Sequence, residues 1–233
     1  MRMLGQPLAI ILCTRPMIHT MKKLLGTAVL AGLLMPASAQ VNAKGTVQVG
    51  LDAGFGAHAT HFSSEVRFGS LAVKHADDDG AVTVTFPIEV QYGLADRFSL
   101  GVCAEPGRYL DSAGTHPNSL FLLALSPRYY AVNKDHFALL FDLDLGLNYL
   151  QIEGKDLAVK VKDRYQGSYF RPGCALQWYF GETVGLNVGL YYTAHTFKWK
   201  DRDPDNPLLD AANYSATLKT SGVLLQAGLQ AKF

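Results

Sequence analysis

The chain has 233 residues, 48% of them apolar, with 21 Lys+Arg against 20 Asp+Glu and a formal charge of +1. That near-balance lacks the basic excess of a nucleic-acid binder, so no nucleic-acid partner is expected. Nor does any run after residue 39 reach the about 20 apolar residues that a membrane-spanning helix needs.

Met21-Lys22-Lys23 makes a basic start. Leu24 to Met35 follow as an uncharged, mostly apolar run, and Pro36-Ala37-Ser38-Ala39 ends it with small residues. This is the three-part pattern of a secretory signal peptide over 21–39, with cleavage expected after Ala39. Residues 1–20 carry Arg2, Arg15 and Pro16 ahead of it. A signal peptide works from its own amino terminus, so translation is expected to start at Met21, with the upstream stretch a gene-model artefact. All five methionines and four basic residues precede the cleavage point, leaving 194 residues, 40–233, with 17 basic against 20 acidic groups. The exported chain therefore carries −3. No cysteine stands at the cleavage point, so a lipoprotein anchor is not expected.

Alternation of apolar and polar residues recurs at strand length across 40–233. The first strand, near 46–58, sets Val47, Val49, Leu51, Ala53 and Phe55 against Gln48, Gly50, Asp52, Gly54 and Gly56. The second sets Val82, Val84, Phe86, Ile88, Val90 and Tyr92 against Thr83, Thr85, Glu89 and Gln91. The third sets Phe98, Leu100, Val102 and Ala104 against Ser99, Gly101, Cys103 and Glu105. The fourth, less regular, sets Leu123, Leu125, Tyr129 and Ala131 against Ala124, Ser126, Arg128 and Tyr130. The fifth is the clearest, with Phe137, Leu139, Phe141, Leu143, Leu145, Leu147 and Tyr149 against Asp142, Asp144, Gly146 and Asn148. The sixth opposes Phe170, Cys174, Leu176, Trp178 and Phe180 to Tyr169, Arg171, Gly173 and Gln177. The seventh opposes Val184, Leu186, Val188, Leu190 and Tyr192 to Gly185, Asn187, Gly189 and Thr193. The eighth ends the chain with Leu225, Ala227, Leu229, Ala231 and Phe233 against Gln226, Gly228, Gln230 and Lys232.

Short turns follow the second, fourth and sixth strands, at 93–97, 132–135 and 181–183. Long connections follow the first, third, fifth and seventh, at about 59–81, 106–119, 150–168 and 196–217. Short turns at one end and long loops at the other are the rhythm of an outer-membrane barrel with an even strand number and both termini periplasmic. The fold class expected is all-β: an eight-stranded antiparallel up-and-down transmembrane barrel. A soluble barrel with an apolar interior also has eight strands, but it has no reason to place so many glycines among its charges. Inside a bore only wide enough for side chains to fill, glycine relieves crowding. Aromatics at both strand ends of the apolar face match interfacial girdles: Tyr92, Phe98, Tyr129, Phe137, Phe180 and Phe233 at one end, Phe55, Tyr149, Phe170 and Tyr192 at the other.

Three prolines sit badly in this pattern. Pro87, Pro127 and Pro172 fall inside strands, where each removes a ladder donor. Pro172-Gly173 fits a bulge near the outer rim, whereas Pro87 and Pro127 have no counterpart in the alternation. Cys103 and Cys174 fall on opposite faces, which argues against a disulfide because the two Cβ atoms must approach to about 4 Å.

The signal peptide ending Ala37-Ser38-Ala39, the turn Tyr92-Gly93-Leu94-Ala95-Asp96-Arg97-Phe98 and the terminal Gln230-Ala231-Lys232-Phe233 together resemble the small eight-stranded bacterial outer-membrane barrels of the OmpA/OmpX type. The resemblance implies outer-membrane location, lipopolysaccharide and other outer-membrane lipids as surroundings, and reading of Phe233 by the barrel-assembly machinery. The class includes structural proteins, adhesins, small channels and lipid A enzymes, so it does not fix a role.

The residues that can carry chemistry are the inward charges. Asp142 and Asp144 are two apart and share a face. With Asp52, Glu89, Glu105, Arg128, Arg171 and Lys232 they are expected to form a polar network plugging the lumen, since a half-buried charge needs a partner. The functional alternative is a paired-carboxylate site or an ion path. His58 and His195 fall near the outer strand ends on the lumen side, without a serine on the apolar face to complete a deacylase arrangement. Asp201, Asp203 and Asp205 have the alternate spacing of a calcium loop, but the twelfth position is Ala212 rather than Glu. Asp77-Asp78-Asp79 and the mixed charges from Glu153 to Arg164 suit exposed loops able to meet an extracellular ligand. No cofactor motif is present. The expectation is a non-enzymatic structural or surface-interaction barrel, with a narrow channel and a lipid A-modifying enzyme as alternatives.

Overall fold

A computed structural model describes residues 40–111, 118–156, 159–203 and 213–233. The signal peptide and its cleavage point lie outside the described residues. Nine strands form one antiparallel sheet: β1 (Val47–Phe68), β2 (Leu71–Thr85), β3 (Ile88–Ala95), β4 (Phe98–Asp111), β5 (Asn118–Asn133), β6 (Phe137–Asp156), β7 (Val159–Tyr179), β8 (Val184–Asp203) and β9 (Ser215–Lys232). Each pairs with its neighbour, and β1 also pairs with β9, which closes the sheet on itself. Closure leaves no unpaired edge.

The ninth strand is the expected second strand in two pieces. β2 and β3 both pair with β1 and β4, and the register is the same on either side of the break. Thr85 faces Gly54 and Ile88 faces Leu51, so no residue is gained or lost. Pro87 causes the break, because it has no N–H to give. Its carbonyl still accepts from Asp52 N–H at 3.0 Å, and Phe86 N–H donates to the Pro106 carbonyl at 2.8 Å. The ring therefore has eight staves, one of them notched.

The other prolines open gaps rather than bulges. The β5–β6 ladder passes from Leu125↔Leu145 to Arg128↔Asp142, skipping Pro127. The β7–β8 ladder passes from Phe170↔Ala194 to Gly173↔Tyr191, skipping Pro172. Register is conserved across both gaps, so the bulge expected at Pro172-Gly173 is not found; the shift on β7 lies at Arg164/Tyr165.

Side-chain direction follows the alternation. Leu51 is 59% exposed and Phe55, Leu145, Val188 and Leu225 are exposed likewise, while Arg128 is 1% exposed and every other charged member of the expected lumen set is buried. The apolar surface is thus the outside of the ring. Trp178, Phe86 and Phe121 join the outward aromatics. Cys103 is buried in the lumen, and Cys174 is exposed on the outer surface.

Two expectations need correction. The segments at 59–81 and 150–168 are mostly strand, not loop. β1 and β2 stay paired to Phe68↔Leu71 and turn at Gly69, whose φ of 58° suits a residue without Cβ. β6 and β7 stay paired from Gln151↔Arg164 to Asp156↔Val159. The lumen, second, is not polar throughout. Toward the long-loop end Leu120, Leu122, Leu150, Leu218, Tyr109, Tyr165 and Phe197 pack inside the ring, a core that a bore of this width needs for close packing.

Candidate functional site

At mid-lumen two arginines each hold two carboxylates. Arg128 on β5 lies across the ladder from Asp142 on β6. Its Nε donates to Asp142 Oδ1 at 2.5 Å, and its Nη2 reaches Asp142 Oδ2 at 3.2 Å and Glu89 Oε1 at 2.6 Å. Arg171 on β7 lies across from Asp144 on β6. Its Nε donates to Asp144 Oδ2 at 2.7 Å and its Nη1 to Glu105 Oε2 at 2.5 Å. β6 therefore supplies one aspartate to each arginine because Asp142 and Asp144 are successive inward positions, while Phe141, Leu145 and Leu147 point outward.

Tyr191 fills the space between the two groups. Its hydroxyl donates to Asp142 Oδ2 at 3.1 Å, and the Arg171 guanidinium lies 5.3 Å from its ring centroid. The ring fits because Gly173 and Gly189 face it; a Cβ at either position would collide with it. Glu89 is fixed in turn by Gln91, whose Nε2 donates to Glu89 Oε1 at 2.5 Å and to the Ser126 carbonyl at 3.0 Å. Ser99 Oγ donates to Gln91 Oε1 at 2.9 Å.

Two of the expected network members stand apart. Asp52 meets no arginine directly; Gln226 Nε2 donates to its Oδ2 at 2.6 Å and Asn187 Nδ2 at 3.3 Å. Lys232 sits at the short-turn end, where its Nζ donates to the Gln40 carbonyl at 2.9 Å and lies 5.0 Å from the Tyr179 ring. Thus Glu89, Arg128 and Asp142 form one group, Glu105, Arg171 and Asp144 a second, and Asp52 a separate amide-bound carboxylate.

Nearer the long-loop end, His58 shares hydrogen bonds with Thr83 Oγ1 at 2.8 Å and Thr193 Oγ1 at 3.2 Å. His195 stands 6.1 Å from it, ring to ring, and is sandwiched by Tyr169 and Phe197. β1 and β8 are separated by β9, so this meeting reaches over that strand, where Gly222 leaves room. Of the weak calcium candidate, only Asp201 and Asp203 fall among the described residues, Asp205 lying outside them. Asp201 and Asp203 both pair with Arg164, at 3.1 and 3.6 Å. Among the described residues no three His, Cys, Asp or Glu side chains gather to hold a metal.

Sequence reasoning missed the end of the lumen altogether. Val41 and Asn42, ahead of β1, are fully buried at the short-turn mouth. Nothing in Gln40 to Lys44 alternates, so the only signals were the glycine at 93 and the amide at Asn133 that receive them.

No family model and no curated protein matches the sequence. Solved structures do. The outer membrane protein OprG of Pseudomonas aeruginosa is 13% identical with a TM-score of 0.51, over 82% of this chain and 97% of that one. The outer membrane protein AlkL, solved in lipid bilayers, is 14% identical with a TM-score of 0.44, over 85% and 95%. Ail, the attachment invasion locus protein of Yersinia pestis, is 12% identical with a TM-score of 0.40, over 82% and 99%. Identities this low carry the fold and no role. The fold is that of the small integral outer-membrane β-barrels, as the sequence resemblance implied.

Proposed function

We propose that the protein is an integral outer-membrane barrel with a shut lumen, serving a structural or surface-interaction role rather than catalysis. The observation that supports this reading is the pair of arginine groups stacked along the bore, each guanidinium held by two carboxylates and the space between them taken by Tyr191. Moving those charges apart to pass a solute leaves buried ions without partners, which costs several kcal/mol per ion. The apolar outer face supports membrane insertion, since a closed ladder satisfies its own backbone groups in hydrocarbon. In this reading both termini are periplasmic, outer-membrane lipids and lipopolysaccharide surround the wall, Phe233 is the signal to the assembly machinery, and the projecting hairpins meet any extracellular ligand.

Planar-bilayer recording tests the reading. The purified barrel is expected to give no stable open level; a stable one overturns the shut lumen and favours a narrow channel. The channel reading draws on one feature, the surplus of lumen carboxylates (Asp52, Glu89, Glu105, Asp142, Asp144) over the guanidinium groups of Arg128 and Arg171. Lipid A acylation read by mass spectrometry is expected to be unchanged by expression.

A further inference from the structure

The segment from Gln40 to Lys44 does not hang free of the barrel. It turns into the mouth at the short-turn end, where Val41 and Asn42 are each 0% exposed. Val41 packs in one apolar cluster with Tyr130, Ala138, Leu140, Ala175 and Tyr179. The turns of two hairpins, β3–β4 and β5–β6, grip the segment. Val41 N–H donates to the Lys134 carbonyl at 3.0 Å. Asn133 accepts from Asn42 N–H at 3.0 Å and donates to the Asn42 carbonyl at 2.6 Å. The Asn42 amide donates to the Ala95 and Asp96 carbonyls at 2.8 and 3.2 Å. From inside, Gln48 Nε2 reaches the Val41 carbonyl at 3.0 Å. The segment passes so close to Gly93 that a Cβ there would collide with the Ala43 carbonyl.

Beside this apolar cluster the lumen is polar. Gln177 Nε2 and Oε1, Gln230 Nε2, Asn187 Oδ1 and the Tyr179 hydroxyl are shut off from solvent with no protein partner. Buried polar groups in folded proteins are paired, and where protein does not pair them internal water does. Tyr179 belongs to the Val41 cluster and Gln177 faces its Ala138 across the ladder, so these groups begin at the level of the cluster. Water is the partner such groups ordinarily take, and the amino-terminal segment closes the mouth beside them.

We propose that Gln40–Lys44 is a displaceable stopper: it seals a polar, hydrated chamber in the lower lumen, and its release opens that chamber to small charged solutes from the short-turn side, up to the Arg128 group. No strand ladder holds the segment. Its hold is local, one buried valine and hydrogen bonds to two turns, Gln48 and Lys232, so its release breaks none of the ladders that keep the wall closed. The inference rests on the shut-lumen reading of the intact barrel, which bilayer recording checks separately.

The test uses Gln177→Cys as a reporter in a full-length chain carrying Cys103→Ser and Cys174→Ser, with a charged methanethiosulfonate reagent as the probe. Two variants release the stopper without shortening the chain: Val41→Asp, which puts a carboxylate in the apolar cluster, and Gly93→Val, which pushes out the Ala43 carbonyl. Heat-modifiable gel mobility verifies that each barrel is folded. The reporter is expected to react at least tenfold faster in either folded release variant than in the otherwise intact chain. Equal rates in a folded release variant overturn the stopper and leave the shut lumen standing. A reporter that already reacts in the intact chain as fast as an exposed Lys134→Cys control overturns both.

Discussion

Arg128 shows how the lumen fixes a charge, and why its removal should be costly. Its guanidinium is desolvated, and Asp142 and Glu89 are desolvated with it. Breaking such a group from one side leaves two carboxylates unpaired. Arg128→Met is therefore expected to destabilise the barrel by about 3–5 kcal/mol, read by urea unfolding in detergent. Adding Asp142→Asn and Glu89→Gln to that variant is expected to recover most of the loss; no recovery means the arginine acts by packing alone. This site was half legible in the sequence. Inward position followed from alternation, and the Arg128–Asp142 and Arg171–Asp144 pairs follow once register is known. Glu89 and Glu105 join by reaching over an intervening strand or across the bore, and chain spacing carries no record of that. The same holds for Asp52, whose amide partners Gln226 and Asn187 sit on β9 and β8.

Strands were legible where lipid is on one side and the bore on the other, because only there do the two faces demand different chemistry. Val188 is one such outward position, exposed in the apolar stretch of β8 that runs from Val184 to Tyr192. Val188→Arg is expected to cost about 2–4 kcal/mol of folding free energy in a bilayer, measured by reversible unfolding into lipid vesicles. A cost near zero would place that face away from hydrocarbon. Beyond the lipid both faces of a strand meet water, and alternation fades while the ladder continues. His61 to Glu65 and Lys74 to Asp79 read as loop for that reason, yet they pair residue by residue. Pro87 was illegible in another way: the alternation ran through it in the register the structure keeps, but chain spacing did not show that the strand breaks there or that Asp52 and Pro106 take up the neighbouring backbone groups.

The closed ring and the projecting hairpins are separable at the scale of the whole described barrel. All ten residues from Leu71 to Gly80 are exposed, so the β1–β2 hairpin above the ring contributes little to the buried core. Replacing 66–73, which pair only with each other beyond the β1–β9 ladder, by a two-residue turn is expected to leave the urea midpoint and heat-modifiable mobility unchanged. A large loss would show that the hairpin nucleates closure of β1 on β9.

The positions of the two thiols carry a last consequence. Cys103 is walled inside and Cys174 stands on the membrane side of the same sheet, so the sheet itself is an insulator between them. Passage through an oxidising compartment then has no bond to make within the finished ring. Among the described residues the seam of the ring is therefore stitched by the β1–β9 ladder and not by sulfur.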